Sequence, residues 1–172
     1  MSAQQPFEPE ITAFYCIYCG YMAADTAGIM DVQYPANVKF VRLPCTGKTD
    51  IRYLLEAFEQ GADGVYLVAC PIGNCHHVRG NERGLARVQR ARQILDAIGL
   101  GGDRLEIFFM SGSQAQAFAA AARTMTDRIR TLGPNPLKRA SQAGEAPHPS
   151  EPEPDDEIGW RGRRTGSLPG RR

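Results

Sequence analysis

The sequence predicts an α/β fold: a single domain with a mainly parallel four-stranded sheet, followed by a C-terminal tail. Four short apolar runs alternate along residues 11–133 with segments whose apolar residues recur at helical spacing. Strands that alternate with helices form βαβ units, in which neighbouring strands run parallel. Because 42% of the residues are hydrophobic, a real core is possible. We therefore expect a three-layer domain, flavodoxin-like or Rossmann-like, with helices on both faces of the sheet.

The apolar runs predict four strands. The third run consists of consecutive apolar side chains, which is typical of a strand buried on both faces. The second run alternates more regularly between apolar and polar residues, so we expect it to be less buried. The strands are predicted over residues 11–15, 38–43, 64–69 and 105–110.

Four helices are expected between and after these strands. The second is the clearest, because the apolar residues of 51–58 form one stripe and Thr49 or Asp50 can act as its N-cap. Ser113 and Gln116 have the spacing of a capping box, which predicts the start of the fourth helix. The helices are predicted over residues 22–30, 51–60, 82–98 and 114–132.

Charge and hydropathy exclude several classes of protein. The formal net charge is +1 and the folded part has no long basic stripe, so we expect no binding to nucleic acid. No apolar run approaches the roughly 18 residues of a membrane helix, so we expect no direct membrane insertion. The first ten residues do not resemble a signal peptide. The predicted location is cytoplasmic.

The five cysteines are the main indication of function. Each follows one of the first three predicted strands: Cys16 and Cys19 the first, Cys45 the second, Cys70 and Cys75 the third. Because the carboxyl ends of parallel strands meet at one edge of a sheet, we expect all five thiols to lie close together. An odd number of cysteines without an export signal favours metal or redox chemistry over structural disulfides.

Three kinds of chemistry could use these thiols. An iron–sulfur cluster needs about four thiolates. A structural zinc site also takes four, usually from paired C-x2-C motifs, and Cys16 with Cys19 is the one pair here with that spacing. A thiol–disulfide oxidoreductase would use Cys16 and Cys19 and would leave the other three cysteines without a role. Any single cysteine can also be a small buried hydrophobic residue, but five at one edge favour a shared site.

Histidines and arginines follow the last cysteine. His76 and His77 could in principle replace thiolate ligands, but adjacent residues rarely both bind a metal. We expect them to lie near the sulfur atoms or to face a partner. Several arginines nearby predict a basic face beside the cysteines that could meet an acidic partner, namely Arg79, Arg83, Arg87, Arg90 and Arg92.

The composition changes at Pro134. Seven of the twelve prolines lie in residues 134–172, which contain few large apolar side chains. Residues 151–157 are acidic, residues 161–172 are basic, and Trp160, the only tryptophan, lies between these blocks. This composition predicts a disordered, Pro-rich charged tail, in which Trp160 is either incidental or a short docking element. The expected domain therefore covers residues 11–133.

Several motifs together are similar to one known family. They comprise residues 14–19, 24–28, 33–35, 42–48, 61–65 and 70–76. These segments resemble the hydrogenase iron–sulfur delta subunit (MvhD/FlpD) family over about residues 11–132. Pro71 and the charged segment after Pro134 depart from the family pattern.

The resemblance implies a [2Fe–2S] cluster and an electron-transfer role without independent substrate chemistry. It implies that all five cysteines form the pool of metal ligands, with one to spare, and it implies two kinds of partner. These are a hydrogenase or formate dehydrogenase module and a flavoprotein resembling the A subunit of heterodisulfide reductase. Because Cys70 and Cys75 follow the stiff central strand, we expect both to be ligands and the spare thiol to be Cys16 or Cys45.

Overall fold

The computed structural model describes residues 7–138. Strands and helices alternate throughout this part of the chain, as predicted. They are β1 (Ile11–Cys16), α1 (Cys19–Ile29), β2 (Val38–Leu43), α2 (Ile51–Glu59), β3 (Gly64–Ala69), α3 (Gly80–Ala97), β4 (Leu105–Phe109) and α4 (Ala115–Leu132). Short 3-10 turns at Thr46–Lys48 and Gly102–Arg104 precede α2 and β4.

The four strands form one parallel sheet in the order β2-β1-β3-β4. Every residue of β3 is buried, which confirms the expectation from its unbroken apolar run. β2 is an edge strand, and only Val38 of its six residues is fully buried. The register pairs Cys16 with Leu43, so the loops after β1 and β2 leave the sheet at the same level.

Two cores lie on opposite faces of the sheet. Helices α1 and α4 pack on one face, with Phe118, Met125 and Ile129 against side chains such as Tyr66. Helices α2 and α3 cover the other face, where Phe58 and Leu95 pack against alternate residues of the same strands. The predicted three-layer α/β domain is confirmed.

The start of α2 agrees with the prediction, whereas the starts of α1, α3 and α4 differ from it. Asp50 is the N-cap of α2, where its Oδ1 accepts from the Arg52 N–H at 2.9 Å. The capping box at Ser113 is wrong: α4 begins at Ala115, and the Ser113 hydroxyl hydrogen-bonds to that of Ser111 instead. Helices α1 and α3 begin at Cys19 and Gly80, earlier than predicted, and neither has a side-chain cap of the usual kind.

Asn135 and Lys138, which follow the predicted domain boundary, contact the domain. Asn135 is buried, its N–H donates to Asp63 Oδ1 at 2.8 Å, and its amide donates to the carbonyls of Phe58 and Ala62. The Lys138 ammonium binds Asp63 and Glu10, both at 2.9 Å. The composition of residues 134–138 resembles that of the tail, because these residues are held by polar contacts and contain few large apolar side chains. The remainder of the predicted tail, including Trp160, lies outside the described residues.

Within residues 7–138, no helix combines the length and the apolar character that crossing a bilayer requires.

Candidate metal centre

The sheet brings all five cysteines to its carboxyl edge, as the sequence predicted. Cys16 is the last residue of β1 and Cys19 the first of α1. Cys45 precedes the Thr46–Lys48 turn, Cys70 follows β3, and Cys75 lies in the loop before α3. We call this group of five residues the cysteine edge. Its members come from three separate loops, so only the folded sheet can assemble it.

The thiols contact one another in two groups. Cys16 Sγ and Cys70 Sγ are 3.6 Å apart, and Cys19 also hydrogen-bonds to Cys70. Cys45 and Cys75 form a second hydrogen-bonded pair, and Cys45 interacts electrostatically with Cys16. Cys16, Cys45 and Cys70 are buried, whereas Cys19 and Cys75 are partly exposed. The site therefore lies at the protein surface with most of its sulfur atoms shielded from water.

Backbone N–H groups point at four of the five sulfur atoms. Gly20 N–H donates to Cys16 Sγ and Gly47 N–H to Cys45 Sγ, both at 3.3 Å. The N–H groups of Gly80 and Asn81 donate to Cys75, and that of Cys19 to Cys70. Because α1 begins at Cys19 and α3 at Gly80, the Cys16 and Cys75 sulfurs occupy the place of N-caps. A helix N-terminus stabilises negative charge, so these positions favour thiolates.

Burial and hydrogen bonding act on the thiol pKa values in opposite directions. Burial raises the pKa of Cys16 and Cys45, and it raises the pKa of Cys70 to about 11. Burial alone would also raise the pKa of Cys75, but backbone N–H groups of His77, Asn81 and Gly80 outweigh it and lower that pKa. Without a bound cation, therefore, the buried thiols stay protonated at neutral pH.

Two glycines leave room for the sulfur atoms. A Cβ at Gly80 would overlap with Cys45 Sγ and would lie 3.1 Å from Cys75 Sγ. A Cβ at Gly47 would lie 2.7 Å from the Gly80 Cα, because the two backbones cross there. Neither glycine was expected from the sequence to have this role. The signal that could have found Gly80 is a glycine at the first position of a helix that has no Ser, Thr, Asp or Asn at its N-cap.

Asn81 is another residue whose role was not predicted from the sequence. It is fully buried, and its amide donates to the carbonyl oxygens of Cys70 at 3.1 Å and Pro71 at 2.7 Å. The start of α3 is thereby tied to the loop between Cys70 and Cys75. A buried polar residue with two such partners fixes the loop geometry on which the sulfur positions depend.

The loop after Cys75 presents aromatic and apolar side chains to solvent. The His76 ring stacks on Tyr18, with centroids 3.9 Å apart, and His77 meets Tyr18 edge-on at 5.7 Å. Val78 has φ 61°, which is strained for a β-branched residue, and 79% of its surface is exposed. Ile72, in the loop between Cys70 and Cys75, is also exposed.

The predicted basic face exists only in part. Arg87 Nη1 donates to the carbonyl oxygens of Gly47 and Thr49, at 2.5 and 3.0 Å, so it holds the loop after Cys45. Arg92 pairs with Asp103 and Glu106, and Arg79 pairs with Glu82 at 2.7 Å. The charges of Arg79 and Arg92 are therefore largely compensated within the chain, whereas Arg87 binds neutral carbonyl groups. Arg83 and Arg90 do not share in these ion pairs, and Arg90 is exposed.

The arrangement of the five thiols limits the kind of metal group that this site can bind. Among residues 7–138, no three His, Cys, Asp or Glu side chains are arranged to hold a single metal ion. Four of the sulfurs nevertheless accept backbone N–H hydrogen bonds, and cysteine thiolates are the ligands that iron–sulfur clusters take. Fold and site together define a parallel α/β domain with a thiol cluster at the carboxyl edge of its sheet.

Comparison with known proteins gives the family. Residues 11–133 match the model of the family described as "Methyl-viologen-reducing hydrogenase, delta subunit" (FlpD). The chain belongs to this family.

Individual relatives agree with this assignment. The chain is 52% identical over 131 residues to the vhu iron–sulfur subunit of the F420-non-reducing hydrogenase of Methanocaldococcus jannaschii, covering 76% of this chain and 98% of the relative. The corresponding iron–sulfur subunit of Archaeoglobus profundus is 36% identical over 135 residues, covering 78% and 98%. The A subunit of the ferredoxin/F420H2-dependent heterodisulfide reductase of Methanosarcina acetivorans is 30% identical over 126 residues, covering 73% of this chain and 16% of that protein.

Proposed function

We propose that this protein is an electron-transfer subunit with a [2Fe–2S] cluster at the cysteine edge. It passes electrons between a hydrogenase or formate dehydrogenase module and a flavoprotein resembling the A subunit of heterodisulfide reductase. The observation that carries this proposal is the meeting of five thiols from three loops, with backbone N–H groups directed at four of them. Hydrogen bonds to sulfur and partial burial are the means by which a protein sets a cluster's reduction potential.

The proposed ligands are Cys16, Cys45, Cys70 and Cys75. These four sulfurs receive backbone N–H donors, which compensate thiolate charge. Cys19 is then the spare thiol, which differs from the expectation that Cys16 or Cys45 would be spare. That expectation was based only on the positions of the cysteines in the sequence, which do not reveal the backbone N–H donors at the starts of α1 and α3.

The cluster, when bound, supplies one-electron chemistry. The residues of this chain hold and shield it. Gly20 and Gly47 donate hydrogen bonds to sulfur, and Asn81 fixes the loop that connects two proposed ligands. The chain needs no catalytic base or nucleophile for this role.

The relatives' names support the choice of partners. Several relatives are named hydrogenase iron–sulfur subunits, which is consistent with a hydrogenase module as one partner. A segment similar to this chain also forms part of the A subunit of heterodisulfide reductase in Methanosarcina acetivorans. Because such a domain is covalently part of that protein, a flavoprotein of the same type is the second partner we propose for the separate chain. The cytoplasmic location stays a prediction, which cell fractionation would test.

A thiol–disulfide oxidoreductase is the alternative from a different class. Its attacking cysteine has to be accessible and have a lowered pKa. Cys16 is only 1% exposed, and burial raises its pKa. Its sulfur also contacts Cys70 rather than Cys19. These observations favour a cluster ligand over a redox-active nucleophile.

A zinc site is the second alternative. Zinc takes four ligands around one ion, whereas the described thiols form two groups. A two-iron cluster would be held by four thiolates, which Cys16 with Cys70 and Cys45 with Cys75 would supply.

Anaerobic purification tests the proposal directly. We expect about two irons and two acid-labile sulfides per chain, with the visible absorption of an iron–sulfur protein. Stoichiometric zinc without sulfide would establish a zinc-stabilised docking module instead. A colourless, metal-free protein that reduces disulfides would establish the oxidoreductase.

A further inference from the structure

An apolar groove of about 680 Å³ lies between β2 and α2. Its floor contains side chains paired in register on neighbouring strands, such as Phe14 on β1 and Val41 on β2. Tyr53 and Ala57 form the wall on the α2 side, and 47% of the Tyr53 surface is exposed. We call this feature the β2–α2 groove. Because β2 is the edge strand, no further strand covers it within residues 7–138.

The chain leaves the described structure at one end of this groove. Glu10 lines the groove, and its carboxylate binds the ammonium of Lys138 at 2.9 Å. Residues 139–172 therefore start beside the groove and not on the opposite side of the domain. These residues are also an addition relative to the hydrogenase iron–sulfur subunits: the match to the Methanocaldococcus jannaschii protein covers 98% of that protein but 76% of this chain.

The composition of this C-terminal segment fits the groove. Its largest apolar side chains near one another are Ile158 and Trp160, between an acidic and a basic block. The groove is apolar along its floor and has both signs of charge at its rim, with Lys39 on β2 and Glu56 on α2. An acidic residue before Trp160 and a basic residue after it can thus pair with opposite charges on the two sides.

We propose that the β2–α2 groove is an intramolecular docking site for residues 157–161 of this chain, with Trp160 against Tyr53 and Val41. The chain between Lys138 and Trp160 spans on the order of 25 Å when flexible, comparable with the length of about 20 Å of a six-residue strand. A tether of this kind gives an effective concentration on the order of millimolar, so even a weak contact is substantially occupied. Docking would cover the exposed face of the edge strand.

The single tryptophan makes the test specific. In the full-length protein, we expect Trp160 emission at a shorter wavelength than in the unfolded chain, and reduced quenching by acrylamide. Tyr53→Ala should shift the emission to longer wavelength and restore quenching. Tyr21→Ala is the matched control, because Tyr21 is 42% exposed and lies outside the groove; it should leave both readouts unchanged. Circular dichroism verifies that each variant is folded.

Three results would overturn the proposal. The first is solvent-like emission and full quenching of Trp160 in the wild type. The second is a protected Trp160 that responds neither to Tyr53→Ala nor to Ala57→Glu, which would place it elsewhere. The third is protection that disappears on dilution, which would mean that the groove takes the segment of a second copy. None of these readouts depends on the identity of the bound metal, so the proposed electron-transfer function is tested separately.

Discussion

Backbone hydrogen bonds to sulfur distinguish Cys75 from Cys19. Burial alone would raise the pKa of Cys75, but the N–H groups of His77, Asn81 and Gly80 outweigh it and lower that pKa, whereas Cys19 donates its own backbone N–H to Cys70. If the proposed cluster is bound, we expect Cys75→Ser to lose most of its iron, because the replacement removes a proposed ligand held by the helix N-terminus. Cys19→Ser should retain iron and sulfide close to the wild-type content. Iron and sulfide analysis with visible spectra of anaerobic protein measures both.

The Cys19→Ser variant is also the control for the Cys75→Ser variant, since both replace a partly exposed thiol by a hydroxyl. Equal losses in the two variants would show that Cys19 is a ligand. Full iron content in Cys75→Ser would remove Cys75 from the ligand set.

Gly80 determines whether the thiols can approach each other. In Gly80→Ala, the new Cβ would overlap with Cys45 Sγ. We expect this variant to lose about 1–3 kcal/mol of unfolding free energy by overpacking and to bind less iron. Gly28→Ala is the control: Gly28 lies inside α1 with no atom within 4 Å of the added methyl, so about 0.5–1 kcal/mol of stabilisation is expected. Denaturant unfolding and iron analysis measure both effects.

If Gly80→Ala were as stable as wild type and kept its iron, the close approach of Gly80 to the sulfurs would have no consequence for the site.

At the scale of elements, the C-terminal end of the domain depends on residues 134–138. Arg104 donates to the carbonyls of Leu132, Gly133 and Pro134, and Asn135 bonds to the buried Asp63. A chain that stops after Gly133 leaves Asp63 with fewer partners, and each unsatisfied buried group costs about 1–3 kcal/mol. We expect its melting temperature to fall by several degrees. A chain that stops after Lys138 keeps these contacts and should melt within about two degrees of wild type.

Thermal unfolding of the two truncated chains gives the comparison. A large loss of stability in the longer one would mean that residues 139–172 pack on the domain far more extensively than the weak docking proposed for residues 157–161, contrary to the predicted disorder of the tail. No loss in the shorter one would mean that the Asn135 contacts are dispensable.

The elements also indicate how far sequence reasoning extends. The strands were predictable because unbroken apolar runs between glycines and prolines have few alternatives. The starts of α1 and α3 could not be predicted in this way. The Cys16 and Cys75 sulfurs accept the N–H hydrogen bonds there, in place of the Ser, Thr, Asp or Asn side chain that usually identifies an N-cap. The meeting of the cysteines followed from parallel strand topology. The roles of Gly80 and Asn81 could not be predicted from that topology, because they depend on where α3 crosses the loop that contains Cys45.

At the scale of the whole molecule, the cysteine edge is the expected contact face for partner proteins. The proposed cluster needs an electron donor and an electron acceptor, and the loops that carry the cysteines expose Ile72 and Val78. An apolar centre with charged residues around it is the usual composition of a protein interface. Arg79 and Arg83 lie at the start of α3, beside this apolar group.

Charge at this position should govern association with the flavoprotein partner more than it governs the cluster. Arg79 is exposed and forms an ion pair with Glu82. Arg83, the residue after Glu82 on α3, is exposed as well. We expect the double variant Arg79→Glu, Arg83→Glu to slow electron transfer to a heterodisulfide reductase A-like flavoprotein at low salt, by roughly tenfold, because interface charges mainly change the association rate. The difference should shrink as salt screens the charges. Iron content and the visible spectrum should be unchanged.

The matched control is the double variant Arg90→Glu, Arg123→Glu, which has the same net charge. Both residues are exposed and lie further along α3 and α4, away from the cysteine edge. Because long-range steering by total charge would slow both double variants equally, only a local contact slows the first one more. Stopped-flow reduction of the partner over a range of salt concentrations makes the measurement. Equal rates for the two double variants would remove Arg79 and Arg83 from the interface, and loss of iron from the first would make those residues structural.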